Sequence, residues 1–486
     1  MDFQPNLRHD SATPLYRQLY DEIAGRIRSG ALGHGERLPA TRELAGLLGL
    51  NRTTVAAAYE LLETEGLISG QVGRGSFVNS PPAASAIDWP ALLEGSSAPA
   101  PFSSSAASLV SFASSRPAAN LFPLDDFRAS CATVMARPDL ADILQLGSPS
   151  GYEPLRHYLL ENARLHGLAG PEDDLIVTNG CQQALDLIGR VLLRPGDAVA
   201  VEDPVYGGIK NLLAGMGARL VGIPLGPEGL DVSHLARVLE RESVRCLVVT
   251  PNFQNPTGLT LPLAARHELL EAARAARVPV VENDAYGELR YRGEPLPAIK
   301  QLDSAAGVVL LRSFSKVSFP GLRVGWAVGP KALIARLRQA KETCDLHTDQ
   351  LSQAVLLEFA VSGRLEAHRA RILQAGAQRL AATLAGCQNL PPGTRFTRPE
   401  GGMNVWVRLP QPVDAADLLP RARKEGVDYL PGRYFAVARA EPGALRLSFA
   451  VPPPDRIREG LAVLAKIVAA ELLQAALERG PVPAMV

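Results

Sequence analysis

Lys316 lies in the segment Ser313-Phe314-Ser315-Lys316-Val317-Ser318-Phe319-Pro320-Gly321-Leu322-Arg323, a polar turn that follows an apolar run at 308–311. It is one of seven lysines among 486 residues, and the others are expected to be mostly solvated. An amine held at a strand end among hydroxyls and an arginine is suited to forming a Schiff base with a carbonyl compound. When that compound is pyridoxal phosphate, four further kinds of group are required. An acid must hold the ring nitrogen, donors must reach the phenolic oxygen, the phosphate needs a cradle, and something must stack on the ring. Asp284 and Tyr286, two apart in Val280-Val281-Glu282-Asn283-Asp284-Ala285-Tyr286, suit the nitrogen and the phenolic oxygen. Their spacing in a strand-like segment points both side chains to one side. Asn255, in Asn255-Pro256-Thr257-Gly258, is the second phenolic donor. The turn Asn179-Gly180-Cys181-Gln182-Gln183 precedes a helix expected at 184–192, so the amides of Gly180, Cys181 and Gln182 can hold phosphate at a helix start. Ser313, Ser315 and Arg323 add phosphate contacts, and Tyr206 in Asp203-Pro204-Val205-Tyr206 is the stacking candidate.

Each of these signals has a plain structural explanation when taken singly. N-P-x-G is a common turn, and Asp-x-Tyr is an ordinary solvated strand end. Order and spacing together favour a site. The elements that must position it are apolar runs at 175–177, 198–201, 247–249, 279–281 and 308–311, bounded by turn residues and separated by Ala/Leu/Arg-rich helical stretches. Such alternation predicts an α/β domain with a mostly parallel central sheet covered on both faces. A smaller C-terminal α+β lobe is expected around Met403-Asn404-Val405-Trp406-Val407 and Leu445-Arg446-Leu447-Ser448-Phe449.

The set resembles the fold-type I aminotransferases over about residues 110–480. The resemblance implies that Lys316 carries the cofactor as an internal aldimine. It also implies that Arg446 binds the carboxylate of the amino compound. Two other chemistries are set aside: Ser313-x-x-Lys316 lacks the S-D-N and K-T-G partners of a serine acyl-enzyme, and the eight histidines form no metal-ligand spacing. No metal is expected.

The first eighty residues follow another plan. Leu15, Leu19, Ile23 and Ile27 recur every fourth residue after Pro14, a second helix is expected at Thr41–Leu48, and a third runs from about Arg52 to Glu65 with Asn51 as its cap. Two short strands around Gly73-Arg74-Gly75 follow. Three helices and a hairpin make a winged helix-turn-helix, whose third helix enters the major groove of DNA. Arg52, Thr53 and Thr54 would then face base edges, and Arg74 at the wing tip a phosphate or the minor groove. The residues resemble the GntR-type reader in Pro14-Leu15-Tyr16, Leu38-Pro39-Ala40-Thr41-Arg42-Glu43-Leu44-Ala45, Asn51-Arg52-Thr53-Thr54-Val55 and the 73–78 wing. That resemblance adds Arg42 to the DNA contacts. Ala40 stands where a capping serine is usual, and Thr41 is the substitute cap. The segment 1–80 holds eight arginines against nine acids, so any positive face must be local.

Residues 80–108 are almost wholly Ser, Pro, Ala and Gly, a composition expected of a flexible linker. The domains read as a reader at 10–79, the linker at 80–108 and a cofactor-binding effector domain at 109–486. A GntR-type reader followed by an aminotransferase-like domain resembles the MocR/GabR family of regulators. The resemblance implies a homodimer, a double-stranded DNA operator with separated or repeated half-sites, and a small amino compound, or the cofactor itself, sensed by aldimine chemistry at Lys316. The alternative is a working class I/II aminotransferase with an accessory DNA reader. Turnover is expected to be weak or absent on the first reading. Balanced charge, mean hydropathy of +0.04, five cysteines without C-x-x-C spacing, no signal-like start and no run of 18 apolar residues point to a cytoplasmic chain outside the membrane.

Overall fold

A computed structural model describes residues 7, 13–71, 75–79, 89 and 110–478. The chain divides into two compact units, Met1–Pro101 and Phe102–Val486. The linker expected at 80–108 lies outside the described residues except for Trp89, which is exposed.

The first unit consists of α1 (Leu15–Arg28), α2 (Thr41–Leu48), α3 (Arg52–Thr64) and an antiparallel hairpin of β1 (Ile68–Gln71) and β2 (Gly75–Val78). The fourfold repeat in α1 has a direct cause: Leu19, Ile23 and Ile27 are fully buried against Val55, Ala58 and Leu62 of α3. Each such side chain contributes about 1.5–3 kcal/mol by leaving water. Asn51 caps α3 by accepting from Thr53 N at 3.2 Å. The expected Thr41 cap is not formed. Ala40 occupies the N-cap of α2, and no side chain bonds there. Gly49, at φ +64, closes α2 in the left-handed conformation that lets the chain turn into α3.

The second unit is built on an eight-stranded sheet. Its strands are β4 (Asp173–Thr178), β5 (Ala198–Asp203), β6 (Arg219–Gly226), β7 (Gly229–Leu230), β8 (Val244–Val249), β9 (Val280–Asn283), β10 (Val308–Ser313) and β11 (Gly325–Pro330), in the order β4-β11-β10-β9-β8-β5-β6-β7. Strands β6, β5, β8, β9 and β10 pair parallel, while β11 runs antiparallel between β10 and β4. The apolar runs are continuous because both faces are covered. Val199, Val201, Val281 and Leu311 face one core, and Ala200, Leu247, Val280 and Val308 face another.

The C-terminal lobe carries the antiparallel sheet β12 (Arg395–Phe396), β13 (Asn404–Arg408), β16 (Ala444–Ser448) and β15 (Leu430–Pro431), in which β13 and β16 are the two segments read from the sequence. It also recruits the start of the unit: β3 (Val110–Ser111) pairs parallel with β14 (Val427–Asp428). The helix Pro454–Leu477, with mean hydropathy 1.7, is long and apolar enough to cross a membrane, although the sequence contains no run of 18 apolar residues. Its Ile457, Leu461, Leu464 and Val468 are packed into the lobe core.

Candidate functional site

The site residues gather where parallel strands end, because chain reversals there expose backbone groups and side chains together. Strand β10 ends at Ser313 and runs into the turn Phe314–Lys316. Ser313 Oγ accepts from Ser315 N at 3.0 Å and lies 3.1 Å from the Val324 carbonyl, so it shapes this turn. Ser315 Oγ lies 2.8 Å from Ser313 Oγ and also accepts from Arg323 Nη1 at 3.4 Å. Arg323 Nη2 also donates to the Asn179 carbonyl at 3.3 Å, joining two turns that lie 144 residues apart.

Across from it, the helix α4 (Gly180–Leu192) starts at Gly180 itself, four residues earlier than the sequence suggests. The first-turn amides of Gly180, Cys181 and Gln182 therefore belong to the helix N-terminus, where they have no partners within the helix. A Cβ on Gly180 would stand 2.6 Å from Arg323 Nη2. The residue must therefore be glycine for the arginine to approach. Ser315, Arg323 and these amides make a cationic, donor-rich cradle of the kind that holds a phosphate.

Asp284 and Tyr286 lie just past the end of β9, in a turn rather than in the strand. Ladder pairing with β10 stops at Asn283, and the chain bends so tightly that a Cβ on Gly287 would overlap the Asp284 carboxylate. Both side chains are nonetheless buried. Tyr286 Oη accepts from Asn255 Nδ2 at 3.4 Å, and Lys316 Nζ is 5.2 Å from the centre of the Tyr286 ring. Asn255 Oδ1 accepts from Arg446 Nη1 at 3.1 Å, so a continuous chain links Tyr286, Asn255 and Arg446. Arg446 is buried on β16, and burial pushes its pKa down to about 10. Its Nη2 donates to the Ala113 carbonyl, and its Nε has no partner among the described residues.

Cys181 measures how close the parts are. Burial pushes its thiol up to about 12, while Lys316 and Arg323 pull it down and Asp284 pushes it up. Tyr206 stands at the start of the helix Gly207–Gly215 with its ring against Gly208. Although the residue is 41% exposed, partial burial and Tyr286 raise the pKa of its hydroxyl, against the pull of Arg446 and Arg323. Gln182 reaches the Gly208 carbonyl at 3.0 Å and so ties the turn at Gly180 to this helix.

Four supporting residues are invisible to the sequence reading. Asn252 Nδ2 donates to Asp284 Oδ1 at 2.8 Å and is itself held by the buried Arg266, at 2.6 Å. Arg312 donates twice to Asp284 Oδ2, at 3.0 and 2.7 Å. Ser115 accepts from Lys316 Nζ through its carbonyl.

In the first unit Arg42, Arg52 and Thr53 are exposed and Thr54 is half-buried. Arg74 lies outside the described residues, but Arg37 packs against Gly75 of the hairpin. The acidic Glu60 and Glu63 sit toward the far end of α3. In a helix rising 1.5 Å per residue, this separates them from Arg52 by more than about 10 Å.

Residues 121–464 match the class I and II aminotransferase family, and residues 15–78 match the bacterial regulatory proteins of the gntR family. The HTH-type transcriptional regulator TauR of Rhodobacter capsulatus is 30% identical over 472 residues, covering 93% of this chain and 96% of that one. The chain belongs to the class I and II aminotransferases, in the MocR/GabR-type architecture. The probable rhizopine catabolism regulatory protein MocR of Rhizobium meliloti is 29% identical to this MocR/GabR-type chain over 469 residues, 94% of each. Among solved structures, the kynurenine aminotransferase of Pyrococcus horikoshii superposes with a TM-score of 0.73 at 37% identity, covering 76% of this chain and 92% of that one. The fold at 121–464 is thus that of the aminotransferases, and 15–78 is a DNA-binding domain of the GntR type.

Proposed function

We propose that this chain is a transcription regulator that binds pyridoxal phosphate at Lys316 and reads an amino compound, or the cofactor itself, through that site. The observation that carries the reading is the joining of two groups of residues in one chain. A GntR-type reader exposes Arg42, Arg52 and Thr53, and an aminotransferase-fold domain gathers Lys316, Asp284, Tyr286, Asn255, Arg323 and Arg446. The donor set fits the cofactor. Gly180 is kept bare for a cradle, and Asp284 is a buried acid at the strand ends.

When bound, pyridoxal phosphate supplies a carbonyl carbon that amines attack and a ring that accepts electrons from them. Lys316 Nζ would hold that carbon. Asn255 and Tyr286 would orient the phenolic oxygen, and Ser315, Arg323 and the Gly180–Gln182 amides would hold the phosphate. Arg446 would take an acid group of the effector and so fix its orientation. Tyr206 would stack on the ring.

The reader spans 10–79, the linker 80–108 and the effector domain 109–486. The regulator works as a homodimer on separated or repeated half-sites of a double-stranded operator, in the cytoplasm. An effector shifts the reader only through its differential affinity for two arrangements of the protein. The test is operator binding by the full chain with and without cofactor and amino compounds. Lys316→Ala is expected to abolish the effector response while keeping DNA affinity, and an unchanged response would overturn the reading.

The intact chain from Tyr286 through Asn255 to Arg446 favours a second reading, a working aminotransferase with an accessory reader. Steady-state turnover with common amino donors at ordinary rates, about 1–1000 per second, would establish it.

A further inference from the structure

Asp284 is an unusually occupied acid. Strands β9 and β10 pair in register at Asn283 and Leu311, so the next residues, Asp284 and Arg312, emerge side by side. Arg312 grips Oδ2 with both Nε and Nη2, and Asn252 holds Oδ1. The Asp284 side chain is 1% exposed, and that of Arg312 is 24% exposed. A carboxylate offers about four acceptor directions. Three are therefore used before any ligand arrives, two of them on Oδ2 by one guanidinium, and a hydrogen bond between ionised groups is stronger than one between neutral groups.

Resting on the reading above, we propose that Arg312 is a positioning residue that tempers Asp284, so that the site binds amines without driving their turnover. Asp284 can offer a ring nitrogen only the last direction on Oδ1. The fixed positive charge behind the carboxylate also opposes a proton on that nitrogen. A ring without that proton is a poor electron acceptor, whereas condensation of an amine at the carbonyl carbon does not need it. Arg312 thus separates recognition from transamination. The other charged or titratable groups that face Asp284 are Glu282 on β9, Arg266 behind Asn252 and Cys181 on α4, and Glu288 also faces Arg312. Among the described residues, Arg312 is the one that forms an ion pair with it.

The test uses the full chain loaded with pyridoxal phosphate, and its readout is the pH at which the visible band of the bound cofactor changes. Removing the charge favours a proton on the ring nitrogen, which repels the proton at Lys316 Nζ. In Arg312→Gln the midpoint is expected to fall by about one pH unit, a tenfold change in the proton equilibrium. Arg312→Lys keeps the charge and is expected to keep the wild-type midpoint. Unchanged midpoints in both variants, or equal shifts in both, would overturn the inference. So would failure of both to take up the cofactor, which would make Arg312 a structural support. Failure of the underlying reading looks different: the wild-type chain would show no visible band, or Lys316→Ala would keep it.

Discussion

Lys316 Nζ donates a hydrogen bond to the Ser115 carbonyl at 2.7 Å, across 201 residues of sequence. Ser115 belongs to a strap that leaves β3 and crosses the site. The Ala113 carbonyl on the same strap accepts from Arg446 Nη2. The two groups that would meet an amine and its acid group are thus tied to one short segment, just beyond the stretch read as the linker. Ser115 Oγ is anchored in turn to Asn404 and Ser448 of the C-terminal lobe. Covalent engagement of Lys316 and binding of an anion at Arg446 would each break a strap contact. Loading with pyridoxal phosphate is therefore expected to change deuterium uptake across residues 110–116 more than across β4. Equal protection of the strap in loaded and unloaded chain would sink the idea.

Gly180 sets the donor-rich cradle proposed for phosphate through what it lacks. Its φ of +75 disfavours any side chain, and a Cβ would press on Arg323 at 2.6 Å. In Gly180→Ala the guanidinium must move, and with it the contact to Ser315. Affinity for pyridoxal phosphate is expected to fall at least tenfold, about 1.4 kcal/mol. Affinity for pyridoxal, which has no phosphate, should change little. Absorbance titrations with the two vitamers make the comparison, and parallel losses would show that the cradle does not hold phosphate.

What the sequence makes legible depends on how local the signal is. Lys316, Asp284, Asn255 and Gly180 each follow an apolar run and sit among turn residues, so the strand ends that position them can be found within a window of ten residues. The reader is legible for the same reason, through the four-residue repeat in α1 and the Asn51 cap. Arg312 is hidden because its meaning comes from the pairing of β10 with β9, a contact spanning 28 residues. Ser115 lies in a stretch whose composition suggests nothing, and only β3 pairing with β14 brings it to the site. The turn holding Asp284 and Tyr286 reads as strand because the apolar run ahead of it gives no hint of the bend that Gly287 permits.

His368 makes acid stability testable. It is fully buried in the helix Arg364–Cys387, stacked on Phe319 at 6.3 Å, and neither ring nitrogen has a partner among the described residues. Burial, helped by Arg371 and opposed by Asp126, lowers its pKa from 6.5 to about 4. The unfolded chain then takes up a proton below about pH 6.5, while the folded chain resists until about 4. The stability associated with the neutral ring is fully present above 6.5 and is lost as pH falls through that window, by at most about 3 kcal/mol. Thermal unfolding at stepped pH should show the decline, and His368→Phe should flatten it. An identical decline in the variant would assign the acid sensitivity to other groups.

Arg52 tests the reader by the form of its energy as well as its size. It opens α3 beside the Asn51 cap, exposed, in the first turn that a winged helix presents to the major groove. If its guanidinium reads a base edge, Arg52→Ala costs about 1–3 kcal/mol on the operator and relaxes preference at one position. If it meets only phosphate, the loss is spread evenly over all sequences and the salt dependence of binding drops by about one counterion. Binding to an operator and to its single-base variants, at several salt concentrations, separates the two. The exposed Arg42 on α2 is expected to follow the phosphate pattern, since the first helix of such a pair crosses the backbone. Thr53 and Thr54 should follow the base pattern, with smaller losses. If Arg52→Ala left both affinity and salt slope unchanged, α3 would not be the element that enters the groove.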